Sequence, residues 1–351
     1  EVGAGYSTGR HGGGERIAEY GAEVLGQFTS NVGVYARFSK AERDDESLTQ
    51  VQLTGEWRTE ESRLLSGELR RVEERRMGGD VAGTLAALKY TQRLGTSVDL
   101  YGQAQFTVDD DGGRYADNDL YTLGAKYLFG DLSSVGAEAS HGDRGDAATV
   151  NAEYRLGPEH TIYGGYTYST DATDYDPLFN PHRQTGWTLG QRWRLSHQVN
   201  LFNESQMLKE GGESGLAHTF GMDFYPAQGW NLGFTLMKGE LTNVDGGQVQ
   251  RRAVSLNGGH ASPETDWQSK IEWRQDTGAE RREQWVSTHR LTRRINDSWR
   301  IAARLNYSRT TDELDSAAGA KFIEGNVGFA YRPWNSVRWG LFGRYTYLYD
   351  L

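Results

Sequence analysis

The feature that most constrains this chain is an alternation of apolar and polar side chains with a period of two. It is sustained for roughly ten residues at a time and repeated along the whole sequence. Between 98 and 108, Val98, Leu100, Gly102, Ala104, Phe106 and Val108 fall on one face, opposite Asp99, Gln103, Gln105 and Thr107. Between 148 and 156, Ala148, Val150, Ala152, Tyr154 and Leu156 oppose Thr149, Asn151, Glu153 and Arg155. Near the end, Val337, Trp339, Leu341, Gly343, Tyr345 and Tyr347 oppose Arg338, Gly340, Arg344 and Thr346. Similar ladders recur at 230–238, 267–274, 299–307 and 323–332. Helical spacing does not persist anywhere. Its strongest rival, the alanine- and leucine-rich stretch 81–93, also alternates acceptably.

Short polar turns punctuate the ladders at Thr29–Asn31, Thr59–Glu61, Leu94–Thr96, Gly130–Leu132 and Gly157–Glu159. Others follow at Ser196–His197, Pro226–Gln228, Ser262–Glu264, Ile295–Asp297 and Pro333–Asn335. Longer polar connections alternate with them, such as Asp109–Asn118, Thr170–Gln184 and Arg309–Ala320. Proline cannot donate to a strand ladder. Pro158, Pro226, Pro263 and Pro333 fall in short turns, Pro177 and Pro181 in one long loop, and none interrupts a ladder. Ten short turns predict about twenty strands, or 20–22 with Val2–Tyr6 adding one at the front.

Composition decides what covers the apolar faces. Only 36% of the 351 residues are hydrophobic, too few for two ordinary globular cores, yet 12% are aromatic, too many for a disordered chain. A closed sheet with lipid outside and water inside reconciles the two values. Strands of about ten residues suit a tilted bilayer crossing better than a sandwich, whose strands average nearer 5–6. Trp57, Tyr90, Tyr127, Tyr154, Trp193, Trp230, Trp299, Tyr331 and Trp339 gather beside the short turns, as a girdle of interfacial aromatics would. We therefore expect an all-β fold: a large antiparallel up-and-down transmembrane β-barrel with short periplasmic turns and longer extracellular loops. It forms one domain over 1–351, standing alone or as the barrel portion of a longer or modular protein.

On this pattern, and on turn-flanking phrases such as Tyr154-Arg155-Leu156-Gly157 and Tyr331-Arg332-Pro333-Trp334, the chain resembles the Gram-negative outer-membrane β-barrel proteins. The resemblance covers nearly the whole chain and rests on pattern rather than on a diagnostic motif. Members commonly end on an aromatic, whereas this sequence ends Tyr349-Asp350-Leu351. The resemblance implies integral residence in the outer membrane of the cell envelope. It also implies contact with lipid and lipopolysaccharide, insertion by the barrel-assembly machinery, and room for a plug, periplasmic or surface protein partner.

The polar faces carry both charge signs, and the candidate pore-lining residues are Glu68, Arg70, Glu153, Arg155, Arg192, Arg194, Lys270, Glu272, Arg274, Arg300, Arg304, Glu324, Arg338 and Arg344. They are expected either to bias a water-filled passage or to pair across strands and hold register. The net charge of -10 lacks the concentrated basic face that nucleic acid requires. Acidic runs at Asp44–Glu46, Asp109–Asp111 and Asp171–Asp176 are read as solvated loops, without the complete spacing of a calcium site. Eight histidines are scattered, and Ser287 and His289 share a face predicted to point outward. No nucleophile elbow, phosphate loop or metal spacing stands out, so catalysis and cofactors are not expected. The expected function is a porin-like or export channel passing solutes through a polar, mixed-charge lumen. The alternative is a barrel that anchors a surface protein, adhesin or envelope complex.

Overall fold

The computed structural model describes residues 2–10, 16–43, 46–76, 78–170, 184–210, 212–314, 319–333 and 340–350. Every regular element among them is a β-strand. The first seven are β1 (Val2–Arg10), β2 (Arg16–Thr29), β3 (Val32–Arg43), β4 (Glu46–Glu60), β5 (Arg63–Arg75), β6 (Val81–Leu94) and β7 (Val98–Asp109). Then come β8 (Leu120–Phe129), β9 (Ser133–Gly142), β10 (Gly145–Gly157), β11 (His160–Ser169), β12 (Thr185–Arg194), β13 (Val199–Glu210) and β14 (Glu213–Phe224). The last seven are β15 (Trp230–Thr242), β16 (Gln248–Ala261), β17 (Thr265–Gly278), β18 (Arg282–Arg294), β19 (Trp299–Asp312), β20 (Ala320–Tyr331) and β21 (Leu341–Asp350).

All 21 strands belong to one sheet, and each pairs antiparallel with its neighbours in sequence. The nine turns from Thr29–Asn31 to Ile295–Asp297 separate the expected pairs, the tenth at Pro333–Asn335 lies partly outside the described residues, and Val2–Tyr6 extends into β1. The 81–93 stretch is strand β6, hydrogen-bonded to β5 and β7 along its length. Its helix-forming composition yields to the partners on either side, because strand preference is set by packing context more than by intrinsic tendency. The connections on the far rim are less uniform than expected. Residues 110–119 join β7 to β8, but Asp143 and Arg144 alone join β9 to β10.

The sheet rolls until β1 approaches β21, giving a nearly closed barrel. An odd strand number makes these two run in the same direction, and no ladder joins them among the described residues. A recess of about 450 Å³ marks the seam, lined by Tyr6, Glu23, Arg37, Phe342 and Arg344 among others. A wall one sheet thick has little core. The buried apolar cluster is only Leu85, Ala87 and Tyr115, with Val81 packed against it.

Candidate functional site

Two faces follow from the alternation, and the structure distinguishes them. Asn231 on β15, Asn257 on β16, Lys270 on β17, Arg290 on β18, Arg304 on β19 and Arg344 on β21 line one recess of about 580 Å³. Side chains from so many adjacent strands converge only on the concave side, so this set faces the lumen. The opposite face carries Leu53, Trp57, Leu100, Leu123, Val150, Leu189, Leu256 and Val327, all exposed although large and apolar. A broad apolar surface of this kind marks contact with something other than water.

One wall of the lumen is packed shut. The β7–β8 loop turns inward, and Tyr115 lies over Leu85, Ala87 and Gly83. A Cβ on Gly83 would stand 2.5 Å from the Tyr115 ring, so only glycine leaves room for it. Gln105, fully buried, donates from Nε2 to the Asn118 carbonyl, while Asn118 N donates to Thr107 Oγ1 and Thr107 N to Asp119 Oδ1. These bonds satisfy backbone groups that an inward loop would otherwise bury unpaired. Glu68 belongs to this wall. It is 7% exposed and accepts hydrogen bonds from Gln52 Nε2 at 3.0 Å and from Arg70 Nε and Nη2 at 3.1 and 3.0 Å.

Elsewhere inward aromatics lie across glycines of the adjacent strand and reach a carboxylate one strand further. Tyr101 crosses Gly124 and donates to Glu138, and Tyr163 crosses Gly190 and donates to Glu204 at 2.7 Å. Arg192 stacks on the Tyr163 ring with Cζ 4.5 Å from its centroid. Each strap ties three strands together without filling the lumen. Near the long-loop rim, Arg251 donates to Asp276 through two bonds of 2.7 and 2.8 Å, and Arg282 pairs with both Asp312 and Glu280.

The wall from β17 to β21 is open. Lys270 and Arg274 share Glu272 at 2.9 and 2.7 Å. Arg290, Arg304 and Arg344 have no carboxylate within salt-bridge distance among the described residues, and Arg304 Nε donates only to Asn306 Oδ1 at 3.2 Å. Glu324 accepts from Asn306 and Asn326. Of the residues singled out in the sequence, Glu153, Arg155, Arg192, Arg194, Lys270, Glu272, Arg274, Arg300, Arg304, Glu324 and Arg344 occupy the same alternation face as this recess, although they do not form one cluster. Arg338 lies outside the described residues. Arg290 was missed, although its spacing from Thr288 and Thr292 puts it on the same ladder face.

The turn-flanking aromatics Trp57, Tyr90, Tyr127, Tyr154, Trp193, Trp230 and Trp299 are all exposed on the convex face. Trp299 packs against Tyr331 with ring centroids 4.7 Å apart. Trp339 lies outside the described residues, as do Asp44, Asp45 and the run Asp171–Asp176. Asp109 and Asp111 do not converge on one point: they pair with Arg71 and Arg114 respectively. No group of three or more metal-ligating side chains occurs among the described residues. Ser287 and His289 share the convex face as expected, but His289 Nδ1 is hydrogen-bonded to Ser269 Oγ at 2.9 Å rather than to Ser287.

A single rolled sheet, apolar and aromatic outside and polar within, defines an integral β-barrel of the outer membrane. No helix among the described residues is long and apolar enough to cross a membrane, which says nothing against crossing by strands. No protein-family model and no curated protein matches this sequence. Solved structures do. The chain is similar to the ferric-catecholate import receptor Fiu from E. coli K12, with TM-score 0.64 and 9% identity over 95% of this chain and 74% of the receptor. It is similar to the siderophore receptor PirA from Pseudomonas aeruginosa, with TM-score 0.60 and 10% identity over 100% of this chain and 79% of PirA. It is also similar to the ferric enterobactin receptor PfeA from Pseudomonas aeruginosa, with TM-score 0.63, 11% identity, and 97% and 74% of the two chains covered. At these identities the likeness is one of fold. The neighbours are transport receptors, not enzymes.

Proposed function

We propose that this chain is a transport barrel whose solute is anionic and passes along the open wall of β17–β21. The observation that carries the reading is the convergence of Lys270, Arg290, Arg304 and Arg344 with the amides of Asn257 and Asn326 on one luminal recess. Guanidinium groups with no carboxylate within salt-bridge distance among the described residues, set beside amides, form a ready set of donors for carboxylate, phosphate or catecholate oxygens. The fold likeness to import receptors supports transport, and a recess with fixed donors favours a barrel that binds its solute over a wall that merely excludes by size. A ring of 21 strands spaced by about 4.8 Å and tilted near 40° is roughly 40 Å across, far more than side chains can fill. The partners implied are lipid and lipopolysaccharide outside, the assembly machinery during insertion, and a plug or periplasmic protein at the lumen. The turn-flanking aromatics would rest at the headgroup level.

Planar-bilayer recording of the folded chain tests this. We expect a steady conductance with anion preference. Replacing Arg290, Arg304 and Arg344 together by glutamate should move the reversal potential in a salt gradient toward that of a cation-preferring pore. An electrically silent barrel with its fold intact, or a reversal potential unmoved by the triple change, would overturn the proposal.

A further inference from the structure

The convex face carries a row of basic side chains set among apolar neighbours. Ser205 on β13, His218 on β14, Lys238 on β15 and Arg252 on β16 are register partners in turn, so all four point outward from adjacent strands. Phe220, Leu236 and Leu256 are exposed around them on the same face. His218, Lys238 and Arg252 stand six, eight and nine residues from Phe224, Trp230 and Ala261, the short-turn ends of their strands. With a rise of about 3.3 Å per residue and a tilt near 40°, they lie about 15, 20 and 23 Å above the short-turn rim of an apolar band some 25 Å tall. The short turns of such barrels face the periplasm, so the row climbs through the outer leaflet toward its headgroups.

No acidic side chain neutralises this row. Lys238 and Arg252 oppose each other directly, and like charges opposed across a strand pair repel. Both are exposed, and neither has a carboxylate within salt-bridge distance among the described residues, Glu240 two positions above Lys238 included. Along the register beyond Arg252 come Gln275 and then Glu283, whose carboxylate is engaged by the indole Nε1 groups of Trp273 and Trp285 at 2.9 and 3.1 Å. Ser205 Oγ and His218 Nδ1 are hydrogen-bonded at 2.8 Å, and with the hydroxyl donating, Nε2–H remains a donor beside Lys238. Another outward like-charge pair, Arg309 opposite Lys321, stands ten residues from the short-turn ends. That places it at about 25 Å, level with the top of the band, where water and salt screen it.

We propose that Lys238 and Arg252, with His218 below them, bind a phosphate group of lipopolysaccharide, the phosphorylated glycolipid of the outer leaflet. Two cations without a counter-ion are costly beside acyl chains, and a lipid phosphate is the anion that the membrane itself supplies near this height. Its oxygens accept from the guanidinium fork, the ammonium and the imidazole together. The acyl chains of the same molecule then cover Phe220, Leu236 and Leu256. A second copy of the chain fits this face poorly, because a two-fold contact would set Lys238 and Arg252 against their own images.

The folded barrel, titrated in detergent with fluorescent lipopolysaccharide, should show saturable binding. Removing the lipid phosphates should weaken it at least about tenfold, and so should the double change Lys238→Gln with Arg252→Gln. Arg293→Gln, at an outward cation beside the short-turn end of β18, should leave the affinity unchanged. The dephosphorylated lipid probes the site without altering the chain, so the test does not depend on the folding of a variant. Neither cation lines the luminal recess, so the anion preference of the conductance should persist in the double variant. Equal affinity for the phosphorylated and dephosphorylated lipids, an unchanged affinity in the double variant, or displacement of the glycolipid by equimolar phosphatidylglycerol would each overturn the proposal. So would a parent chain that dimerises through this face in vesicles free of glycolipid.

Discussion

Leu123→Arg is expected to destabilise the barrel in lipid by about 2–4 kcal/mol, the cost of an arginine near the bilayer midplane. Leu123 is 72% exposed on the convex face, and its register partners are Gly102 on β7 and Ala139 on β9. Neither can offer a counter-charge. It lies six residues from Phe129 and three from Leu120, the two ends of β8, so the guanidinium is about 15 Å from one rim and about 8 Å from the other. The matched control is Lys126→Gln on the luminal face of the same strand, expected to change stability by no more than about 0.5 kcal/mol. Denaturant titration in vesicles, followed by tryptophan fluorescence, compares the two. If Leu123→Arg cost no more than the control, the convex face would be in water and the membrane assignment would fail.

Asp276→Ala should cost about 2–3 kcal/mol in the same assay. Asp276 is buried at 5% and holds Arg251 through two short bonds, so its removal leaves a half-buried guanidinium without its carboxylate. Breaking a fully buried pair typically costs 3–5 kcal/mol, and partial exposure of Arg251 lets water recover some of that. Asp276→Asn keeps the shape and one acceptor, and should cost about half as much. The loss should appear first as faster proteolysis of the hairpins around β16–β18 at the long-loop rim. An alanine variant as stable as the parent would show that the ion-pair ladder there contributes nothing.

The hairpin framework was legible in the sequence because lipid imposes a strict rule on each outward position. Val98 to Val108 can alternate only as a strand when one side must be apolar throughout. Nine short turns, from Thr29–Asn31 to Ile295–Asp297, the strand nature of 81–93 and the first strand at Val2 all followed from that rule. The interior was less legible, because water tolerates almost any polar residue. Nothing local distinguishes Glu68, covered within a packed wall, from Arg304, which faces an open recess. The difference comes from Tyr115 folding inward over Gly83, a contact between a loop and a strand that no period reveals. Arg290 was readable in principle from its alternation with Thr288 and Thr292. Ser205, His218, Lys238 and Arg252 break the apolar rule in the sequence itself, but their adjacency depends on the register of β13 through β16.

The parallel relation of β1 and β21 also fixes sidedness. With the short turns toward the periplasm, β1 starts at Val2 on the periplasmic rim and β21 finishes at Asp350 on the outer one. The same sidedness holds for every connection between, so an epitope grafted into the Asp143–Arg144 hairpin between β9 and β10 would be readable by antibody on intact cells, while one grafted at Gly95–Thr96 between β6 and β7 would stay hidden until the envelope is breached.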